Sequence, residues 1–403
     1  MSSHPFQAIR ISDRVHWVGA IDWTLRDFHG YLTTRGTSYN AFLVVGDDVT
    51  LVDTVKRPFF DEMMSRIASV VDPARIRTVV SQHAELDHSG CLPQLVEAAR
   101  PERVLASKAG VATLAEHFSL SVPVEAVGNA SAMDLGGARF TFHEARMLHW
   151  PESMVSSLEG DDVLFTQDAF GMHLASHERF ADEVPHDVVD YEFAKYFANV
   201  LMPFSAPMAK LLDKLDRSVR NAKVIATDHG PVWRQGQDSV VDRYRSWCDR
   251  RPTRKVVIVF ASMWQSTATM ARAIGEGAHE GGVQVKLMDL GQAHRSDVLT
   301  ELLDASAILV GSPNLNGQMF PTVADVLTYL KGMKPKGLMG AAFGSYGWNT
   351  AAADAVHETL KEIKVDIVRE PLTVKYVPTH TDLAACREFG EQLAARVRAA
   401  VPA

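Results

Sequence analysis

Cysteine is scarce in this sequence: Cys91, Cys248 and Cys386 are the only three in 403 residues, and they lie far apart. Neither a disulfide framework nor a CxxC metal site can be built from them, and a reducing cytoplasm is the expected compartment. No apolar run reaches transmembrane length, and the opening MSSHPFQAIR has no hydrophobic signal region, so neither a membrane span nor a secretory leader is expected. Positive charge is also short. Lys and Arg number 41 against 49 Asp and Glu, a net charge of -8, which argues against nucleic acid or an anionic membrane as partner. There is no low-complexity tract and no convincing internal repeat.

What remains is a folded globular composition, 46% apolar and 22% charged. The chain is too long for one ordinary core, so two domains are expected. Residues 38–45 (SYNAFLVV) and 49–55 (VTLVDTV) read as strands joined through the turn Gly46-Asp47-Asp48. Further strands are expected at 76–81, 139–142, 162–166 and 223–227, with helices at 92–100 and 239–250. Arg251-Pro252-Thr253-Arg254 is the best boundary, giving domains at residues 1–250 and 255–403. Beyond it β and α alternate: strands at 255–261, 283–290, 307–311 and 338–343, and helices from about 268, 297, 321, 350 and 382. Such alternation suits a doubly wound parallel sheet.

The sharpest motif is His83-Ala84-Glu85-Leu86-Asp87-His88, directly after a strand. A long helix would fan these donors apart, so the segment is expected to be a loop curling around metal, with a helix beginning beyond Ser89-Gly90. His149 in MLHWP, Asp168 in TQDAFG and His229 in DHGP each follow a predicted strand. A lone His or Asp in a loop is more often a capping or surface residue, and the chain has 16 histidines. Joined to the HxExDH cluster, the three give enough donors for two metals and a carboxylate bridge.

HxExDH resembles the metallo-β-lactamase signature HxHxDH with Glu85 in place of the second histidine. A carboxylate there hardens the ligand field and suits iron or manganese better than zinc. With the MLHWP, TQDAFG and HGPVWR segments, the sequence is similar to the flavodiiron proteins, although Gln167 stands where Asn is usual. The resemblance implies an N-terminal metallo-β-lactamase-like αββα domain holding a di-iron site. One iron would take His83, Glu85 and His149, the other Asp87, His88 and His229, with Asp168 as bridge. His29, Trp150, His173 and Tyr196 are candidates for surrounding the site, with a packing role as the alternative for His29, Trp150 and His173. Phe197 follows Tyr196 where relatives often carry a second tyrosine.

In the second domain Ser262, Met263, Trp264, Gln265, Ser266 and Thr267 follow a strand and open a helix, whose N-terminal N–H groups favour phosphate. A Ser/Thr-capped helix start is the plain alternative, and the loop lacks the glycines of a dinucleotide or P-loop motif. Ser312, Pro313, Asn314, Leu315, Asn316 and Gly317 form a second loop, and Ser345, Tyr346, Gly347 and Trp348 a third. Trp348 could stack on a planar ring or serve packing. This half resembles flavodoxin, which implies FMN, with its phosphate on 262–267 and its ring between the other two loops. The segments GAIDW and RDFHGY are similar to the rubredoxin:oxygen oxidoreductase branch.

The expected activity is reduction of O2 to water, with reduction of NO to N2O as the alternative. Two ferrous ions and reduced FMN together hold the four electrons that one O2 requires. No electron-donor domain follows the flavodoxin-like part, so a separate rubredoxin-type protein is expected to supply electrons. A head-to-tail homodimer, with each FMN facing the partner's irons, is what the resemblance implies. A zinc hydrolase fused to flavodoxin and an O2-sensing di-iron protein are the competing readings.

Overall fold

The computed structural model describes residues 4–402. These divide into two compact units. One takes the chain up to His29 and then Thr33–Cys248; the other takes Gly30–Leu32 and Asp249 onward.

The first unit is built on two sheets. One has seven strands, ordered Ile9–Arg10, Val15–Trp17, Phe42–Val45, Val49–Val52, Ile76–Val80, Arg103–Ser107 and Val124–Val127. The other has five, ordered Ser131–Asp134, Arg139–Glu144, Met154–Leu158, Val163–Gln167 and Val224–Thr227. Strand alternation sorts the core. Phe42, Val44 and Val80 turn to the space between the sheets, where they meet Phe140, Phe142 and Phe165. Leu43 and Val79, their chain neighbours, turn the other way onto Met63, Ile67, Leu92 and Leu95 of the covering helices. Coverage on both faces explains why these strands read as unbroken apolar runs. Burying one such side chain contributes about 1.5–3 kcal/mol.

In the first unit the strands expected over 38–45 and 49–55 change. Residues 38–45 are not one strand: Thr37–Tyr39 pairs with Ala20–Asp22 in a separate two-stranded sheet, and Phe42–Val45 belongs to the large one. The break falls at Asn40, whose backbone N–H donates to the Asp228 carbonyl instead of to a ladder. The strand expected over 49–55 ends at Val52, because Asp53 takes φ 56°, a left-handed conformation that stops the ladder.

The second unit is a parallel sheet in the order Gln284–Asp289, Lys255–Phe260, Ala307–Gly311, Met339–Tyr346 and Asp366–Ile367, with Leu372–Lys375 also paired to Met339–Tyr346. The order reverses between Lys255–Phe260 and Ala307–Gly311, which places a crevice at their carboxyl ends. The strand expected over 338–343 runs on to Tyr346, because Leu372–Lys375 pairs with that extension. Helices Ser266–Glu280 and His380–Ala400 cross at unusually close range. A Cβ on Gly277 would stand 2.0 Å from the Arg387 carbonyl oxygen, and one on Gly390 would stand 2.1 Å from that of Ile274.

Candidate metal centre and flavin pocket

All the candidate ligands leave the sheets of the first unit at one edge. After Ile76–Val80 the chain leaves the sheet and brings His83 and Glu85 together, with His83 Nε2 3.3 Å from Glu85 Oε2. It then makes one helical turn, Leu86–Ser89, which carries Asp87 and His88. The whole segment was expected to be a loop. The turn redirects its second half, and this separates the six residues into two donor sets.

The structure brings all seven expected ligands together. Donor atoms of His83, Glu85, His149 and Asp168 lie within 4.8 Å of one another, as do those of Asp87, His88 and His229. Asp168 faces both groups. Its Oδ2 is 3.1 Å from His149 Nε2 and 3.3 Å from His83 Nε2, while its Oδ1 is 3.4 Å from Nε2 of both His88 and His229.

The electrostatics of the cluster call for cations. Burial opposes charge on His88, yet Asp87, Asp228 and Asp168 hold its imidazole up at about 10. Burial likewise opposes charge on His149, but Asp168 and Glu85 hold it at about 9. The carboxylates thus favour positive charge at these rings, a demand that a bound metal ion would meet. The donors are imidazole nitrogen and carboxylate oxygen without sulfur, a set that fits iron.

The imidazoles are held from behind. His83 Nδ1 lies 2.9 Å from Glu152 Oε1, and His229 Nδ1 lies 2.7 Å from the Ser38 carbonyl oxygen. His88 Nδ1 faces Asp228 Oδ2 at 3.5 Å. Each contact leaves Nε2 directed at the cluster. Sequence reasoning missed Glu152, Ser38 and Asp228. Glu152 and Asp228 stand close to ligands in the chain, three residues after His149 and immediately before His229. A backbone carbonyl such as that of Ser38 leaves no sequence signal at all.

The four surrounding candidates also lie at the site. His29 Nε2 is 3.0 Å from Glu85 Oε1. The Trp150 ring stands edge-on to His83 at 5.4 Å. His173 Nδ1 is 2.8 Å from Thr37 Oγ1, and its ring is 4.6 Å from that of His229. Tyr196 hydrogen-bonds Asp168; burial, then the charge of Asp168, hold its phenol well above the ordinary range. Phe197, in contrast, packs on Tyr244 and Trp247 at 4.9 and 5.1 Å between ring centroids. Gln167 donates its side-chain N–H to the Leu148 carbonyl, next to His149.

In the second unit, Met263, Trp264 and Ser266 from the first loop meet Pro313 and Asn314 from the second and Ser345, Tyr346, Gly347 and Trp348 from the third. They line a pocket of about 490 Å³ at the carboxyl ends of the strands. Tyr376 and Val377 complete it and were not foreseen, since nothing in the sequence marks the last strand as ending there. The other expected residues stand outside this lining. Thr267 is buried and bonds Ser345 Oγ at 2.9 Å, and Ser262 Oγ accepts from the Ala268 N–H. Gln265 precedes the helix at φ 67°. Ser312 Oγ accepts from the Phe320 N–H, and Leu315, Asn316 and Gly317 form a tight turn closed on Gln318. Trp264 and Trp348 are 89% and 83% exposed, so the pocket is rimmed by aromatic surface suited to a flat ring.

Residues 37–230 match the family described as ODP family beta lactamase, and residues 258–390 match flavodoxin. The chain is 40% identical over 402 residues to the rubredoxin-oxygen oxidoreductase of Megalodesulfovibrio gigas, covering 98% of this chain and 100% of that one. It is also 40% identical over 395 residues to a nitric oxide reductase of Moorella thermoacetica, covering 97% and 99%. The crystal structure of the flavodiiron protein from Giardia intestinalis, 31% identical, superposes with a TM-score of 0.94 over 99% of this chain and 98% of its own. Likeness of this extent joins the donor cluster and the flavin pocket in one lineage: the chain belongs to the flavodiiron protein family, with a di-iron centre and FMN as its cofactors.

Proposed function

We propose that the chain is an oxidoreductase that reduces O2 to water, with NO reduction to N2O as the alternative, using electrons passed through FMN from a separate rubredoxin-type protein. The observation that carries this reading is Asp168, which turns one carboxylate oxygen to each of two three-residue donor groups. Residues 1–250 would hold the irons and 255–403 the flavin.

In this reading His83, Glu85 and His149 hold one iron, Asp87, His88 and His229 hold the other, and Asp168 spans them. The irons and FMN supply the electrons: four with four protons for O2, two with two protons for a pair of NO molecules. The protein residues fix the geometry and manage protons. The carbonyl and carboxylate groups behind His229 and His83 keep those rings from turning. Tyr196 keeps its phenolic proton and hydrogen-bonds Asp168, holding that carboxylate in place between the two donor groups. Trp150 and Phe28 crowd His83 and His173 with apolar ring surface and limit water.

Glu85 argues against the zinc-hydrolase reading, since it replaces an imidazole with a harder donor. Relatives named for O2 and for NO reduction are equally identical to this chain, which keeps NO as the second reading. A cytoplasmic setting belongs to this reading; among the described residues no helix is long and apolar enough to cross a membrane. The active unit in this reading is a head-to-tail homodimer, in which each flavin edge meets the partner's metal edge. The test adds measured O2 or NO to protein and rubredoxin reduced anaerobically and compares turnover, alongside elemental analysis. Two irons per chain and faster O2 turnover are expected. Two zincs and no iron in active protein would overturn the reading.

A further inference from the structure

Glu152 is an acidic residue with almost no access to solvent, 2% exposed, three positions after His149. One of its oxygens, Oε1, receives two bonds: from His83 Nδ1 at 2.9 Å and from the Ala84 backbone N–H at 3.0 Å. Its backbone is anchored as well, because Ser107 Oγ donates to the Glu152 carbonyl. The carboxylate is therefore held in place against the first ligand imidazole. The other imidazoles are backed differently. His229 meets a neutral carbonyl, and His88 faces its carboxylate only at 3.5 Å.

A buried negative charge hydrogen-bonded to Nδ1–H draws that proton and makes Nε2 a stronger donor to a metal. A stronger donor favours the ferric over the ferrous ion. The two donor groups also become unequal, since only one has a short carboxylate–imidazole contact. We propose that Glu152 is a positioning residue that acts through His83, strengthening the hold on one iron and setting its reduction potential below that of its neighbour. This inference rests on the di-iron reading above.

The test compares wild type with Glu152→Gln in the full-length, flavin-bound protein. Glutamine keeps the shape and can still accept from Ala84 and His83 through its carbonyl oxygen, so the charge alone is removed. Wild type with two irons per chain supports the di-iron reading, and wild type without iron overturns that reading itself, whatever the variant does. Given iron in wild type, E152Q is expected to bind it about 10–100-fold more weakly in chelator competition. At full loading, a spectroelectrochemical titration should show one iron couple moved to higher potential and the FMN couples unmoved. An unchanged potential in fully loaded E152Q overturns the inference, and so does weaker binding with no shift, which would make Glu152 only a brace. If E152Q does not fold, Glu152→Asp takes its place: it keeps the charge but withdraws it from His83. A raised iron potential in E152D supports the inference, and the wild-type value overturns it.

Discussion

Asn40 ties down the segment that carries His229: its side-chain nitrogen donates to the carbonyl oxygens of Thr227 at 2.6 Å and Gly230 at 2.9 Å. Its side-chain oxygen accepts from Trp17 Nε1 and Ser38 Oγ. All four bonds are buried. Asn40→Ala would leave several of these partners unpaired, at roughly 1–3 kcal/mol for each orphaned group. The expected result is a lower urea midpoint together with reduced iron retention, because the loop bearing His229 loosens. Unaltered iron content and stability in this variant would count against the brace.

Asp168→Ala should remove metal from both donor groups at once, since its two oxygens face different groups. FMN should stay bound, as its pocket belongs to the other unit. Iron and flavin measured on the same sample check this. A variant that keeps full iron and full turnover would show that Asp168 does not bridge.

The flavin released on denaturation should be FMN. Ser266 is the informative position for the phosphate: it opens the helix, lines the pocket, and is the one hydroxyl of its loop in that lining. Ser262 and Thr267 spend their hydroxyls on Ala268 and Ser345. Ser266→Ala should therefore weaken FMN binding several-fold without loss of iron, by fluorescence titration of the apoprotein. Removing Ser262, Ser266 and Thr267 together should weaken it further. Wild-type FMN affinity in the triple variant would place the phosphate elsewhere.

Gly390→Ala tests the helix crossing of the second unit. The added methyl would stand 2.1 Å from the Ile274 carbonyl oxygen, a contact that backbone must yield to. A cost of about 1–3 kcal/mol is expected from overpacking. Calorimetry should show the flavin-bearing unit melting earlier. A metal-site transition unaffected by the change would confirm that the loss is local.

Complementation tests the dimer. A chain with Asp168→Ala and intact flavin is mixed with one that binds iron but not FMN. Verified mixed dimers should reduce O2 although neither parent does, because the flavin of one chain serves the irons of the other. A fully active monomer, or inactive mixed dimers with both remaining cofactors loaded, would exclude this arrangement.

The candidate metal ligands were legible because HxExDH compresses four donors of scarce type into six positions, and three more follow strand ends. Regular β/α alternation made the second unit legible for the same reason: its period is local. What escaped was long-range. The helical turn Leu86–Ser89 is set by the need to aim Asp87 and His88 at His229, far along the chain. The strand break at Asn40 depends on Asp228, and Tyr346 remains in a strand only because Leu372–Lys375 lies beside it. The support of His83 by Glu152 likewise joins segments that no local pattern connects.

The two ends of the first unit's sheets answer to different demands. The segments bearing His83, His149, Asp168 and His229 all emerge at one end. At the other, the chain reverses through residues 46–48, 135–138 and 159–162, where the turn glycines Gly136, Gly137 and Gly160 take positive φ. The two ends therefore fail differently. Damage at the reversals unlocks turns that hold one another, through the Asp47 N–H on the Gly136 carbonyl and Arg14 on Asp161 and the Gly137 carbonyl, and so costs stability, while a single inserted residue at the opposite end shifts a candidate ligand.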